Sequence, residues 1–375
     1  IFMSATNPLW ASAVLLTERM VQPMDKPTVQ DIFHRFYPAY LDQYSPSPVQ
    51  AKVAHNIMNC KTGAYGANVC VCEDCGFVQI HYNSCRNRCC PMCQAVPKEM
   101  WMDARREDVL DAPYFHLVFT VPDILNPVIY SNQRLLYDAL YHAASSTISE
   151  LTADPKHLGA KVGYICILHT WGSEMNFHPH IHTILLGGGL ASNNQWKDNG
   201  ENFFLPIRVI SKMFRGKYLE ELKRLWEEDK LVFHGTAEKF RNHYTFKELL
   251  DSCYGMDWIP HCKKTFNGAQ TVIKYLGKYT HRIAVSNHRI VRMDDDTVTF
   301  LVKDYRNEGQ WKELTISGVE FVRRFLMHVP PRRFVRIRHY GLLCSRTKSQ
   351  KLTLCRNLLG CKKYLSKLRD MEMPE

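Results

Sequence analysis

Eight of the fourteen cysteines in this 375-residue chain fall between positions 60 and 93: Cys60, Cys70, Cys72, Cys75, Cys85, Cys89, Cys90 and Cys93. A stretch that short cannot bury a large apolar core, so it needs staples to hold one conformation. An intracellular chain keeps its thiols reduced, which disfavours disulfides and leaves metal as the staple. CEDC at 72–75 and CPMC at 90–93 are two C-x-x-C pairs, the pattern that lets two tight turns offer four thiolates to one tetrahedral zinc ion. The spacing therefore assigns Cys72, Cys75, Cys90 and Cys93 to a zinc site. Cys60, Cys70, Cys85 and Cys89 are the right number for a second Zn²⁺ site, with His55 as a substitute ligand. A closed four-thiolate site has no open position for substrate, so both metals read as structural. Arg86, Arg88 and Lys98 beside these ligands point to contact with nucleic acid.

The rest of the chain is ordinary for a folded protein, with 45% hydrophobic and 23% charged residues. No apolar run is long enough to cross a bilayer, and Pro8 to Leu16 is short and lacks the basic start of a signal peptide. A cytoplasmic protein without membrane partners is the expectation. Four segments separate by composition. Residues 1–50 carry Val29, Ile32, Phe33 and Phe36 at helical spacing and must pack on something outside themselves. Residues 51–100 form the zinc module. Residues 108–290 mix strands at 114–121, 162–170 and 181–186 with helices at 131–151 and 213–229, an α+β pattern. Residues 291–375 open with a strand, an acidic turn and a second strand, continue as a basic helix at 318–328, and hold most of the charge. From Glu320 onward fourteen Lys or Arg stand against four Asp or Glu, which supplies nearly all of the net +11. Arg332, Arg333, Arg336 and Arg338 alternate there with Phe334, Ile337 and Tyr340, as a folded phosphate-binding surface would require.

The stretch FHPHIHTILLGGG places His178, His180 and His182 at alternate positions. On a strand, residues two apart share a face about 7 Å apart, whereas residues four apart are about 13 Å apart. One ion can therefore be chelated by His180 and His182 but not by all three. Pro179 makes His178 an entry residue. If the preceding strand VGYICILHT turns back and pairs antiparallel, His169 comes opposite His180 or His182 on the same face and supplies a third ligand. Glu174 in the turn and His178 are the alternatives. The glycines at 187–189 are expected to let the chain leave the strand.

A later stretch, NGAQTVIKYLGKYTHRIA, reads as an amphipathic helix whose stripe is Val272, Leu276 and Ile283. Tyr275 and Tyr279 are four residues apart and face the same way, with Lys274, Lys278 and Arg282 nearby. A phenol with a pKa near 10 is a weak nucleophile unless a cation stabilises its phenolate, which Lys278 or a metal-polarised phosphate would do.

HPHIH after a strand, KYLGKY on a later helix and CRNRCCPMCQ in front together resemble the two-tyrosine rolling-circle transposases of bacterial insertion sequences, the IS91 family of the HUH endonuclease superfamily. The likeness runs from about Val49 to Leu359 and includes LHTWG and RIRHYGLL. It implies an HUH-type antiparallel sheet with flanking helices, preceded by a zinc-binding DNA module and followed by the basic region. It implies His180 and His182 as the motif histidines with His169 as third ligand, Tyr275 and Tyr279 as nucleophiles, and Mg²⁺ or Mn²⁺ as the catalytic ion. Single-stranded DNA at element ends and targets would be the partner, with no nucleotide cofactor. A plasmid replication initiator or conjugative relaxase of the same superfamily, and a non-catalytic zinc-ribbon DNA-binding protein, are the alternatives.

Overall fold

The computed structural model describes residues 26–198, 205–258, 260–266, 272, 277, 284–304 and 307–368. Helices α1 (Val29–Gln43) and α2 (Pro48–Met58) both open on capping boxes. Thr28 with Asp31, and Ser47 with Gln50, satisfy amides that a first helical turn leaves without partners. A hairpin follows, β1 (Ala67–Val71) and β2 (Val78–Tyr82), then α3 (Ala95–Arg106). The chain continues through β3 (Tyr114–Thr120), α4 (Gln133–Ala153), β4 (Lys161–Trp171), β5 (Phe177–Leu190), β6 (Trp196–Asp198), α5 (Ile207–Glu227), α6 (His243–Gly255) and β7 (His261–Phe266). After these come β8 (Ile290–Met293), β9 (Thr297–Asp304), β10 (Gln310–Ser317), α7 (Gly318–Met327), β11 (Ile337–Gly341) and α8 (Lys348–Leu359).

These elements form two compact units, one from the chain up to Met92 together with Val285–Met327, the other from Cys93–Ala284 and His328 onward. The first answers what the amphipathic α1 packs on. Val29, Ile32, Phe33 and Phe36 are all buried, and Phe33 meets Phe325 of α7 edge to face with ring centroids 5.2 Å apart. Such a pair adds about 1 kcal/mol beyond its buried area. Gln50 Nε2 donates to the Leu326 carbonyl at 2.9 Å, and the Val29 amide donates to Asn287 Oδ1 at 3.1 Å. The three-stranded sheet β10-β9-β8 belongs to this unit. The basic C-terminal segment is thus shared: its part up to Met327 packs with α1 and α2, and its part from His328 onward joins the central sheet.

That central sheet has the order β11-β4-β5-β3-β7, with β6 on the end of β5, and every pairing is antiparallel. Side chains alternate across it. Phe115, Leu117 and Phe119 of β3, Cys166 and Leu168 of β4, and Ile181 and Leu185 of β5 share one core with Leu140, Tyr141, Phe214 and Leu222 of α4 and α5. The opposite core holds Tyr114, Ile165, Ile167, Ile184 and Leu186 with Met102 of α3, Leu110, Val272 and Leu342. The fold class read from sequence, α+β with an antiparallel sheet and flanking helices, is the one observed.

β5 is longer than its apolar run, because β3 and β4 flank it and pair its backbone on both sides. Gly187–Gly189 lie inside the strand and do not release the chain from it, so their role differs from the expected one. A Cβ on Gly187 would sit 2.9 Å from Pro113 O, one on Gly188 would strike the Trp196 ring, and one on Gly189 would strike the Lys161 carbonyl. They permit neighbouring backbone and an indole to come close. Among the described residues, no helix is long and apolar enough to cross a membrane.

Candidate metal sites

In the β4–β5 pairing His169 stands directly opposite His180, and Ile167 opposite His182. The three histidines therefore share one sheet face, the one that the hairpin argument requires. Each offers a ring nitrogen within 4.8 Å of the others, and all three are buried. His180 Nε2 and His182 Nε2 are 3.0 Å apart. Two nitrogens each ~2.1 Å from one ion, at a right angle, would be separated by about that distance. The remaining nitrogens are engaged: His180 Nδ1 bonds the His178 carbonyl at 2.7 Å, and His182 Nδ1 meets His116 Nε2 at 2.9 Å. A carbonyl only accepts, so His180 Nδ1 carries the proton and its Nε2 presents a lone pair to the shared space.

Burial pushes His180 down to about 4, and burial together with the neighbouring imidazoles holds His182 well below the ordinary histidine value. Both rings are neutral at physiological pH, the form that ligates metal. The donor set therefore fits a divalent cation.

The alternatives fall outside this group. His178 lies at the irregularity between the Trp171–Phe177 and His169–His180 pairs, with Nδ1 3.2 Å from Asp123 Oδ1. Glu174, in the turn, accepts from Asn176 Nδ2 at 3.3 Å. Sequence reasoning missed His116. It stands opposite Ile184 on β3, diagonal to His182, and the signal in YFHLVFTV is readable only once the β3–β5 register is known.

The cysteines gather differently from the pattern read off their spacing. Cys60, Cys85, Cys90 and Cys93 each offer a sulfur within 4.8 Å of the others. Cys72 and Cys75 lie on the turn joining β1 to β2, where the Cys72 amide donates to the Phe77 carbonyl at 2.9 Å. Five-residue strands extend about 17 Å. The hairpin base is pinned at Asn83, whose amide donates to Gly66 O at 3.0 Å and whose carbonyl accepts from Lys61 N at 3.2 Å. This holds Cys60 and Cys85 at the base, and Gln30 Nε2 fixes Cys60 further by donating to the Ile57, Met58 and Cys60 carbonyls.

Each of the two expected quartets is thus split. Cys90 and Cys93 join Cys60 and Cys85, while Cys70 is exposed on β1, Cys89 is buried outside the four, and His55 is exposed at the end of α2. At the tip, hydrogen bonds from Cys75 and the Asp74 amide lower the exposed Cys72 thiol below its ordinary value. None of the fourteen cysteines is in a disulfide.

Tyr275, Tyr279, Lys278, Lys274 and Arg282 lie outside the described residues. Val272 and Gly277, from the same stretch, are described as helical. Val272 is buried in the core on the histidine face, as its place on the apolar stripe requires, and a Cβ on Gly277 would strike the Met102 sulfur of that core. Arg86, Arg88, Arg332 and Arg333 are exposed. The Arg336 carbonyl accepts from Leu168 N at 3.0 Å and from the Tyr141 hydroxyl. The Arg338 guanidinium pairs with Asp138 and lies 4.0 Å from the Tyr141 ring centroid, on the helix-covered face.

An α+β sheet with a buried His-x-His strand stands in a chain that also holds a four-cysteine cluster, two groups of side chains that could each hold a metal ion. Residues 163–351 match a family described as "Putative transposase", and residues 32–121 one described as "Transposase zinc-binding domain". The "Putative transposase y4qJ" of Sinorhizobium fredii is 42% identical over 336 residues, 89% of this chain and 84% of that protein. The "Transposase for insertion sequence element IS801" of Pseudomonas savastanoi pv. phaseolicola is 30% identical over 309 residues, 81% and 72% of the two chains. The chain belongs to the IS91 family of transposases, with an N-terminal zinc-binding domain. Among solved structures, the conjugative relaxase TrwC in complex with oriT DNA covers 44% of this chain and 71% of its own at 12% identity, with a TM-score of 0.25, too slight a likeness to bear on function.

Proposed function

We propose that this transposase nicks and rejoins single-stranded DNA at the ends of its element by tyrosine attack assisted by a divalent cation. The observation that carries this is the buried, converging group His169, His180 and His182, on the sheet face where Val272 of the tyrosine-bearing stretch is also packed. The three imidazoles would hold Mg²⁺ or Mn²⁺, which when bound would draw charge from the scissile phosphate.

Tyr275 or Tyr279 gives up its hydroxyl proton, and its oxygen bonds to phosphorus. The bond from phosphorus to the 3′ oxygen breaks, leaving a 5′-phosphotyrosine and a 3′-OH. One phosphate ester replaces another, so no nucleotide has to be consumed. The second tyrosine lets a second strand be cut before the first covalent end is released. Lys278 would stabilise the phenolate, and Lys274, Arg282, Arg86, Arg88, Arg332, Arg333 and Arg336 would hold the strand through its phosphates. Arg338, already paired with Asp138, would contribute least to that surface. Cys60, Cys85, Cys90 and Cys93 would hold structural Zn²⁺.

The test is to incubate the protein with Mn²⁺ and a single-stranded oligonucleotide carrying the element's terminus, then look for a covalent protein–DNA adduct. An adduct is expected, and His180→Ala should abolish it. An adduct of undiminished yield in His180→Ala would overturn the metal assignment, and no adduct with the correct terminus would overturn the reaction.

A further inference from the structure

We infer that His116 is a positioning residue for the metal ligand His182, and this rests on the metal reading above. His116 is buried on β3, and its Nε2 is 2.9 Å from His182 Nδ1. The two ring planes are 16° apart with centroids 5.1 Å apart. Nearly parallel rings whose nitrogens come that close at that centroid separation meet edge to edge in a common plane, the geometry of a hydrogen bond and not of a face stack.

The bond couples the tautomers of the two rings. For His182 Nε2 to offer a lone pair to a cation, its proton must sit on Nδ1, and that proton then needs an acceptor. His116 Nε2 is the group in line to accept it, and in doing so His116 carries its own proton on Nδ1. His180 has the same arrangement with a different acceptor, the His178 carbonyl at 2.7 Å. Each ligand of the His-x-His pair thus has its second nitrogen tied, one by backbone and one by a side chain that can be changed. An outer hydrogen bond of this kind fixes ring orientation and raises ligand basicity, and its loss typically costs 10- to 100-fold in metal affinity.

The experiment measures Mn²⁺ binding to the full chain by electron paramagnetic resonance of the free ion, so it does not depend on DNA cleavage. His116→Phe keeps a flat ring of similar size and removes the acceptor, and roughly 10- to 100-fold weaker Mn²⁺ binding is expected. His116→Gln offers an amide oxygen and should restore most of the affinity. Unchanged binding in His116→Phe, or equal weakening in Phe and Gln variants, would overturn the positioning role. Nitrogen-15 NMR of the unaltered protein loaded with Mg²⁺ gives a check independent of any variant's folding: His182 should carry its proton on Nδ1, and a proton on Nε2 would overturn the inference. His182→Ala separates the two readings. If it binds Mn²⁺ as well as the unaltered chain, the metal assignment falls; if it loses Mn²⁺ while His116→Phe does not, only the role of His116 falls.

Discussion

The histidine group and the cysteine group are both compact sets of candidate ligands, but they are built on different kinds of backbone. His169, His180 and His182 sit on two paired strands, where the side-chain period of two and the register of one hairpin decide which residues share a face. Cys60, Cys85, Cys90 and Cys93 sit on a helix end and loops, where spacing along the chain says little about proximity. The strand pattern was therefore readable in advance. The C-x-x-C spacing pairs CEDC with CPMC, but CEDC is the tip of the β1–β2 hairpin, whereas Cys90 and Cys93 gather with Cys60 and Cys85.

The largest test of that contrast is zinc content. Cys60→Ser or Cys90→Ser should lose the zinc of this cluster, for which the binding free energy at stake is on the order of 10 kcal/mol. Cys72→Ser and Cys75→Ser should keep it, as measured by metal analysis of purified protein. Equal loss from Cys72→Ser would restore the assignment made from spacing.

A smaller effect is expected inside β5, where the regular strand leaves no room for a side chain. Gly189→Val should destabilise the sheet by about 2–3 kcal/mol in chemical denaturation, because its Cβ would meet the Lys161 carbonyl. A change within about 0.5 kcal/mol, the range of a surface substitution, would mean the strand ends before the glycines.

The smallest is a pH dependence from a half-buried histidine outside the candidate ligand set. Burial, with the nearby Arg105 cation adding to it, pushes His339 on β11 down to about 4. The unfolded chain would take up that proton near 6.5, so stability should fall as pH drops from about 6.5 to about 4 and then level off. His339→Gln should flatten this slope in melts recorded across that range, leaving the part owed to other histidines. An unchanged slope would mean that His339 titrates normally.

What could be read from sequence divides along the same line. The apolar stripe of α1, the strands β3 and β4 and the His169–His180 pairing follow from local periodicity and one turn. The partner of α1 did not, since Phe325 is nearly three hundred residues away in the chain. His116 was hidden for the same reason: its contact with His182 comes from a β3–β5 pairing between strands separated by α4 and β4. Likewise, the three glycines of β5 are explained by backbone on β4, β6 and the segment before β3, which no local pattern shows.

The most direct measurement is peptide mapping of the covalent DNA adduct formed with Mn²⁺ on a single-stranded element end. The expected result is a phosphotyrosine at Tyr275 in the first cleavage, with Tyr275→Phe abolishing it. Attachment through Tyr279 alone would reverse the order of the two nucleophiles. Attachment outside both tyrosines, or cleavage with no covalent intermediate, would contradict the proposed reaction.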